Sequence, residues 1–101
     1  MSVISVNKNN FDEIIRENGT VLLDFYADWC GPCRMVAPIV EAIANENPEL
    51  VVGKINVDHS PELSREFGIY SIPTLIVIKD GEVHKRAEGA RPKDAILEML
   101  K

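Results

Sequence analysis

Residues 25–34, FYADWCGPCR, hold both cysteines and the only tryptophan of the chain. An almost continuous apolar run over residues 21–27 leads into them and predicts a strand that is buried on both faces. Pro32 suits the first turn of a helix, where its missing N–H would have no partner. Apolar residues then recur at helical spacing up to residue 44. A buried strand that passes into a helix at two cysteines indicates an open α/β sheet with a site at that turn.

On either side of this turn, strand and helix patterns alternate. Strands are predicted over residues 3–6, 21–27, 50–57, 74–79 and 82–88, and helices over residues 11–18, 32–46, 61–67 and 92–101. Asn10 with Glu13 resembles a capping box, Ser60 resembles a cap, and Gly19 should end the first helix. The alternating part favours parallel strands, and the turn at residues 80–81 makes the last pair antiparallel, with the strand over residues 82–88 exposed on one face. We expect a mixed sheet with helices on both faces, in a single domain over residues 1–101.

The composition suits a globular protein and argues against polyanionic partners. Of 101 residues, 46% are hydrophobic and 27% are charged, and the net charge of −5 repels phosphate groups. Residues 1–10 lack the basic start and apolar run of a signal peptide, and no segment has the length needed to cross a bilayer. We therefore expect a cytoplasmic protein with reduced thiols and with no nucleic-acid or membrane partner.

Several explanations compete for two cysteines that are separated by two residues. A structural disulfide over so short a loop would stabilise the fold by only ~2 kcal/mol. Zinc requires four ligands, and only His59 and His84 could add to the cysteines. Haem attachment requires histidine directly after the second cysteine, where Arg34 stands. Redox chemistry is thus favoured. The number of available ligands alone does not exclude a metal cluster that is shared between two chains.

The spacing makes the two sulfurs unequal. Cys30 precedes the helix, where free N–H groups and the positive end of the helix dipole favour its thiolate. Cys33 lies one turn inside the helix, on its apolar face, and should be shielded. We expect an exposed attacking Cys30 and a buried resolving Cys33, with Gly31 allowing the tight turn and Pro32 stiffening it.

Three further residues allow two interpretations each. Asp24 stands in an apolar strand, where a carboxylate is costly unless it is paired or protonated. It is either a hydrogen-bonded structural residue or the proton acceptor for Cys33. Lys54 is either the cation that steadies Asp24 or a solvated lysine at a strand edge. Trp29 is either a partly buried core residue or an apolar surface beside the attacking sulfur.

The chain resembles the thioredoxin family along essentially its whole length. The resemblance is carried by WCGPC at residues 29–33, by Asp24 upstream, by IPT at residues 72–74, by the turn at residues 80–81 and by the Gly-Ala step at residues 89–90. It implies the α/β thioredoxin fold, in which five strands in the order 1-3-2-4-5 are flanked by four helices. It also implies a cis peptide bond before Pro73, lying against the cysteines.

The resemblance implies a function as well. A member of this family would be a monomeric thiol-disulfide oxidoreductase that reduces disulfides in substrate proteins through a redox-active Cys30–Cys33 pair. It would hold no bound cofactor and would receive electrons from NADPH through thioredoxin reductase. Asp24 would be the proton acceptor, and Lys54 its partner. A groove for an extended substrate segment would be formed by Trp29, Gly31, Pro32, Ile72, Pro73, Gly89 and Ala90.

Two residues depart from the family pattern, and two other functions stay open. Tyr26 stands where many members have a second tryptophan. Ser71 replaces a glycine that is common there, a change expected to narrow the groove and to alter partner preference.

The two other functions are an oxidant or isomerase and a binding module. An oxidant or isomerase would differ only in reduction potential. In a non-catalytic binding module, the apolar groove rather than the thiols would matter.

Overall fold

A computed structural model describes residues 3–101 as alternating strands and helices. In chain order these are β1 (Val3–Ser5), α1 (Phe11–Glu17), β2 (Thr20–Tyr26), α2 (Gly31–Glu46), β3 (Val51–Asn56), α3 (Pro61–Glu66), β4 (Thr74–Lys79), β5 (Glu82–Glu88) and α4 (Lys93–Met99). Their bounds lie close to the predicted ones, and α2 continues through Pro38 as its periodicity indicated. Within the described residues, no helix is both long enough and apolar enough to span a bilayer.

The five strands form one sheet in the order β1-β3-β2-β4-β5, which confirms the order implied by the family resemblance. The central strand β2 is parallel to β3 and antiparallel to β4. The prediction that all strands before the hairpin are parallel is therefore wrong for β4. The connection over residues 57–73 starts and finishes at the same end of the sheet, because Asn56 pairs with Tyr26 and Thr74 pairs with Phe25.

Helices cover both faces of the sheet, as predicted, and each face has its own core. On one face, α2 and α4 pack against β2, with Leu22, Val36 and Ile96 fully buried. On the other face, α1 and α3 pack against the sheet around Phe25. These two layers hold β2 at the centre of the molecule, so that its carboxyl end is fixed by packing on both sides.

The predicted helix signals at three residues act differently in the structure. Asn10 makes no side-chain cap for α1, because its Oδ1 accepts a hydrogen bond from the Asn7 N–H at 2.8 Å and so closes the preceding turn. Ser60 is the N-cap residue of α3 but makes no side-chain cap bond. Gly19 does not end α1. The helix stops before Asn18, whose side-chain amide donates to a carbonyl one turn earlier.

The hairpin between β4 and β5 is confirmed, but β5 is more exposed than predicted. Asp80 and Gly81 both have positive φ angles, 50° and 85°, as a two-residue hairpin turn requires. All residues of β5 except Ala87 are exposed, on both faces and not on one. This strand is the edge of the sheet and lies beyond the helices that cover the centre.

Candidate active site

The cysteine pair lies where the central strand β2 passes into α2. Cys30 is the N-cap residue of α2, and Pro32 and Cys33 lie in its first turn. The two cysteines form a disulfide, with their Cα atoms 5.2 Å apart. One local turn at the carboxyl end of the central strand therefore contains the whole redox pair.

The start of α2 provides an electrostatic environment that favours a negative sulfur at Cys30. The backbone N–H of Cys33 points at Cys30 Sγ at 3.2 Å. The first N–H groups of a helix have no partner within the helix, and together they carry the positive end of its dipole. When the disulfide is reduced, both effects favour the thiolate of Cys30 over its thiol.

The predicted difference in exposure between the two cysteines is wrong for the disulfide form. Cys30 and Cys33 are each only 3% exposed. Cys30 Sγ lies 3.8 Å from the carbonyl oxygen of Ile72, because the loop before β4 covers it. Cys33 instead borders a cavity that also reaches Asp24. The two sulfurs thus differ in what they face rather than in how much surface they expose.

Asp24 is buried on β2, with 4% of its surface exposed, and its Oδ1 has no hydrogen-bond partner among the described residues. A cavity of about 220 Å³ lies beside it, between the sheet and α2. Its lining comprises Asp24, Tyr26, Ala27, Asp28, Cys33, Arg34, Ala37 and Lys54. A cavity of this size with polar side chains in its lining has room for water, so water can connect the carboxyl of Asp24 with Cys33. The unpartnered Oδ1 argues against a purely structural, hydrogen-bonded role for Asp24.

Burial and Lys54 act on Asp24 in opposite directions. Burial raises the pKa of Asp24 from 3.8 to about 7, and the positive charge of Lys54 partly opposes this rise. Lys54 lies directly opposite Asp24 in the register of β2 and β3, so both side chains leave the same face of the sheet. Lys54 is nevertheless exposed, and the ion pairs of the described residues do not join the two. A carboxyl with this pKa can both accept and release a proton near neutral pH.

Loops from three parts of the chain surround the disulfide. The Ile72–Pro73 peptide bond is cis, as the resemblance implied. The backbone N–H of Gly89 donates to the carbonyl of Pro73 at 2.8 Å, which ties the loop after β5 to the loop before β4. Pro73 itself is buried and backs this surface, whereas the other expected groove residues keep exposed area: Trp29, Gly31, Pro32, Ile72, Gly89 and Ala90.

Trp29 is held in place by a residue that the sequence analysis missed. Its side chain is 69% exposed, so the core interpretation is wrong, and its Nε1–H donates to Asp58 Oδ2 at 2.9 Å. Trp29 follows β2, and Asp58 follows the neighbouring parallel strand β3. The carboxyl ends of adjacent parallel strands meet at one edge of a sheet, and this signal could have indicated the pair.

The histidines do not complete a metal site with the cysteines. His59 follows β3, and His84 lies on the exposed edge strand β5. Across residues 3–101, no group of three or more His, Cys, Asp or Glu side chains is arranged to hold a metal ion. The structure therefore gives no support to the zinc interpretation of the cysteine pair.

The chain is similar to known thioredoxins in both sequence and fold. The family model described as Thioredoxin matches residues 2–101. The thioredoxin of Mycobacterium tuberculosis is 51% identical over 89 residues, which are 87% of this chain and 77% of that protein. A bifunctional thioredoxin reductase/thioredoxin of Mycobacterium leprae is 48% identical over 91 residues, 89% of this chain and 20% of that protein. The structure of a mutant thioredoxin from Halobacterium salinarum matches with a TM-score of 0.92 and 36% identity, over 98% of this chain and 88% of that one.

Proposed function

Because the chain belongs to the thioredoxin family, and is thus a thiol-disulfide oxidoreductase that reduces protein disulfides, we propose that Cys30 is its nucleophile and Cys33 its resolving cysteine. The observation that carries this assignment is the position of Cys30 at the N-cap of α2, with the Cys33 N–H directed at its sulfur. A thiolate is the attacking species in disulfide exchange, and this position favours it at Cys30.

Two exchange steps transfer two electrons to the substrate. In the first step, the Cys30 thiolate attacks one sulfur of the substrate disulfide. A bond forms between Cys30 and the substrate, and the other substrate sulfur leaves as a thiolate that takes up a proton. In the second step, the Cys33 thiolate attacks Cys30 Sγ. The Cys30–Cys33 bond forms, and the second substrate sulfur leaves as a thiolate and is also protonated.

Asp24 accepts the proton that Cys33 must lose before the second step. Its carboxyl and Cys33 border the same cavity, so the transfer runs directly or through water. A pKa of about 7 makes Asp24 an effective acceptor at neutral pH, because an acceptor with a much lower pKa would hold the proton too weakly. Lys54 is the partner of Asp24, and its charge keeps the pKa from rising further.

The surface around the disulfide holds an extended segment of the substrate protein. Six residues offer exposed area for it, and the buried Pro73 supports them: Trp29, Gly31, Pro32, Ile72, Gly89 and Ala90. Loops that present free backbone groups can bind an extended chain by main-chain hydrogen bonds, with side chains adding specificity. Asp58 fixes the indole of Trp29 at the edge of this groove.

The redox centre of this family is the disulfide itself. We propose that this protein likewise needs no other bound cofactor. The oxidised pair returns to the dithiol by exchange with a thioredoxin reductase that draws on NADPH. The Mycobacterium leprae relative is named as a thioredoxin reductase and a thioredoxin in one protein, and this name supports such a partner. We further propose a cytoplasmic monomer, in which residues 1–101 form a single domain, with disulfide-containing proteins as substrates and no nucleic-acid or membrane partner.

Trapping of mixed disulfides tests the assignment of the two cysteines. Reduced Cys33→Ser, incubated with a protein that carries one accessible disulfide, should accumulate a covalent complex because the second step is blocked. Cys30→Ser, the matched variant, should accumulate almost none. The complexes are counted on non-reducing gels and located by mass spectrometry. Equal trapping by both variants, or trapping only by Cys30→Ser, would mean that the roles are assigned wrongly.

A further inference from the structure

A second cavity, of about 240 Å³, lies between α2 and the loop that joins β5 to α4. It is separate from the cavity at Asp24, and its lining is mainly apolar: Met35, Val36, Ile39, Ala90, Arg91 and Pro92. Val36 is fully buried beneath the cavity, whereas Met35 is 70% exposed at the rim. An exposed methionine is a flexible apolar contact that adapts to different partners. The redox steps described above make no use of this cavity.

Arg91 adds a positive charge at the rim of this cavity. Its guanidinium donates to the backbone carbonyl of Glu88 at 3.1 Å, and the ion pairs of the described residues do not include it. The neighbouring cations are engaged differently, since Arg86 pairs with Glu88 and Lys93 pairs with Glu46. The guanidinium of Arg91 therefore keeps donors for an incoming carboxylate, which it can bind in a bidentate geometry.

The cavity is continuous with the proposed substrate groove. Ala90 belongs both to the groove and to the wall of the cavity. Val36 follows Cys30 on α2 by a distance of about 9 Å along the helix axis. An extended chain covers that distance in about three residues. A substrate segment attached to Cys30 can therefore reach the cavity with a nearby side chain.

We propose that this cavity is a specificity subsite for the substrate protein, an inference that rests on the proposed groove. It takes an aliphatic side chain about three residues from the attacked cysteine, and Arg91 binds a carboxylate next to that side chain. The occupant is the substrate's own segment, because the cavity adjoins the groove and because its mainly apolar lining and the cation at its rim match such a pair. The subsite adds no chemical step. It makes disulfides with an aliphatic–acidic pair beside them better substrates.

Synthetic peptides test this subsite directly. Each peptide carries one cysteine, joined by a disulfide to 2-mercaptoethanol, with Leu-Glu, Leu-Gln or Ser-Gln placed about three residues before or after it. The prereduced protein is mixed with each peptide, and the second-order rate constant is measured by acid quench and mass spectrometry. Hydroxyethyl disulfide, which is uncharged and too short to reach the cavity, is the reference substrate. In one of the two placements, Leu-Glu should react about tenfold faster than Ser-Gln.

Three variants distinguish the contribution of the acidic residue of the peptide from that of its aliphatic residue. Arg91→Glu should remove the advantage of Leu-Glu over Leu-Gln, and Met35→Gln should reduce the advantage of Leu over Ser. Arg16→Glu makes the same charge change beside the Asp80–Gly81 turn, at the other end of the sheet, and should leave both advantages intact. All three should reduce hydroxyethyl disulfide at the rate of the original protein.

The outcomes distinguish the subsite from the proposed function. Equal rate constants for Leu-Glu and Ser-Gln in both placements overturn the subsite alone, provided that hydroxyethyl disulfide is reduced and that Cys30→Ser abolishes this reduction. If reduction survives in Cys30→Ser, the proposed function itself is overturned. Sedimentation equilibrium tests whether a second copy of the chain occupies the cavity instead. A dimer that Arg91→Glu dissociates would place that copy in the cavity, and this result also overturns the substrate subsite.

Discussion

The substitution Asp24→Asn measures how much stability the buried carboxyl removes. Burial raises its pKa from 3.8 to about 7, so the folded protein keeps a proton that the unfolded chain releases between these pH values. The free energy of unfolding therefore falls as the pH rises through this window. The contribution of Asp24 is fully present below pH 3.8 and is lost by about pH 7. At ~1.4 kcal/mol per pH unit, over about three units, the loss is about 4 kcal/mol.

Guanidinium unfolding of the oxidised protein at pH 4.5 and pH 8.5 is the assay. Asparagine does not ionise, so the free energy of unfolding of the variant, relative to the original protein, should rise by about 3 kcal/mol from the lower to the higher pH. Asp80→Asn is the matched control, because Asp80 is exposed and asparagine also accepts its positive φ. Its relative stability should change little between the two pH values. If the free energies of unfolding of Asp24→Asn and the original protein differed by the same amount at both pH values, the reasoning would be refuted.

Three further substitutions test neighbouring parts of the structure. Lys54→Gln removes a charge that lowers the pKa of the buried carboxyl, so the window of falling stability should move to higher pH in the same unfolding series, and an unmoved window would exclude the interaction. Gly53→Ala would place a Cβ 2.6 Å from Val6 Cγ2. It should lower the free energy of unfolding by about 1–3 kcal/mol, and an unchanged denaturation midpoint would contradict the packing. Asp58→Ala frees the indole of Trp29, so acrylamide quenching of tryptophan fluorescence should increase and the KM for protein substrates should rise. Unchanged quenching would show that the hydrogen bond does not order the ring.

The elements of the fold were predictable because their signals are local. The apolar runs at residues 21–27 and 74–79 indicate strands buried on both faces, and both are central in the sheet. The direction of β4 was not predictable from alternation alone, because it depends on the end of the sheet to which the connection over residues 57–73 returns. The caps at Asn10 and Ser60 failed for a similar reason. A residue type permits a cap, but the local backbone and competing hydrogen bonds decide whether it forms.

In the candidate site, too, some features were predictable from neighbouring residues, whereas others depend on residues that are far apart in the chain. The cysteine pair and the burial of Asp24 follow from adjacent residues and from strand periodicity. The low exposure of Cys30 depends on Ile72, which comes from a loop far along the chain and covers its sulfur. The hydrogen bond between Trp29 and Asp58 likewise joins two loops that meet only after β2 and β3 pair.

The position of Lys54 explains how the carboxyl of Asp24 can be costly to the fold and still suit its proposed role in the reaction. An apolar side chain in place of Asp24 would fill the space between β2 and α2 without an unpartnered oxygen, and the fold would be more stable. Without a nearby cation, burial would raise the pKa further and leave the carboxyl protonated at neutral pH. A direct ion pair would instead lower the pKa and make the carboxylate a weaker proton acceptor. Lys54 is opposite Asp24 in register yet exposed and not paired with it, so its charge acts at an intermediate strength. The sheet register thus keeps the pKa of Asp24 at about 7, which suits the proposed transfer of a proton from Cys33, and the protein gives up stability for this proposed role.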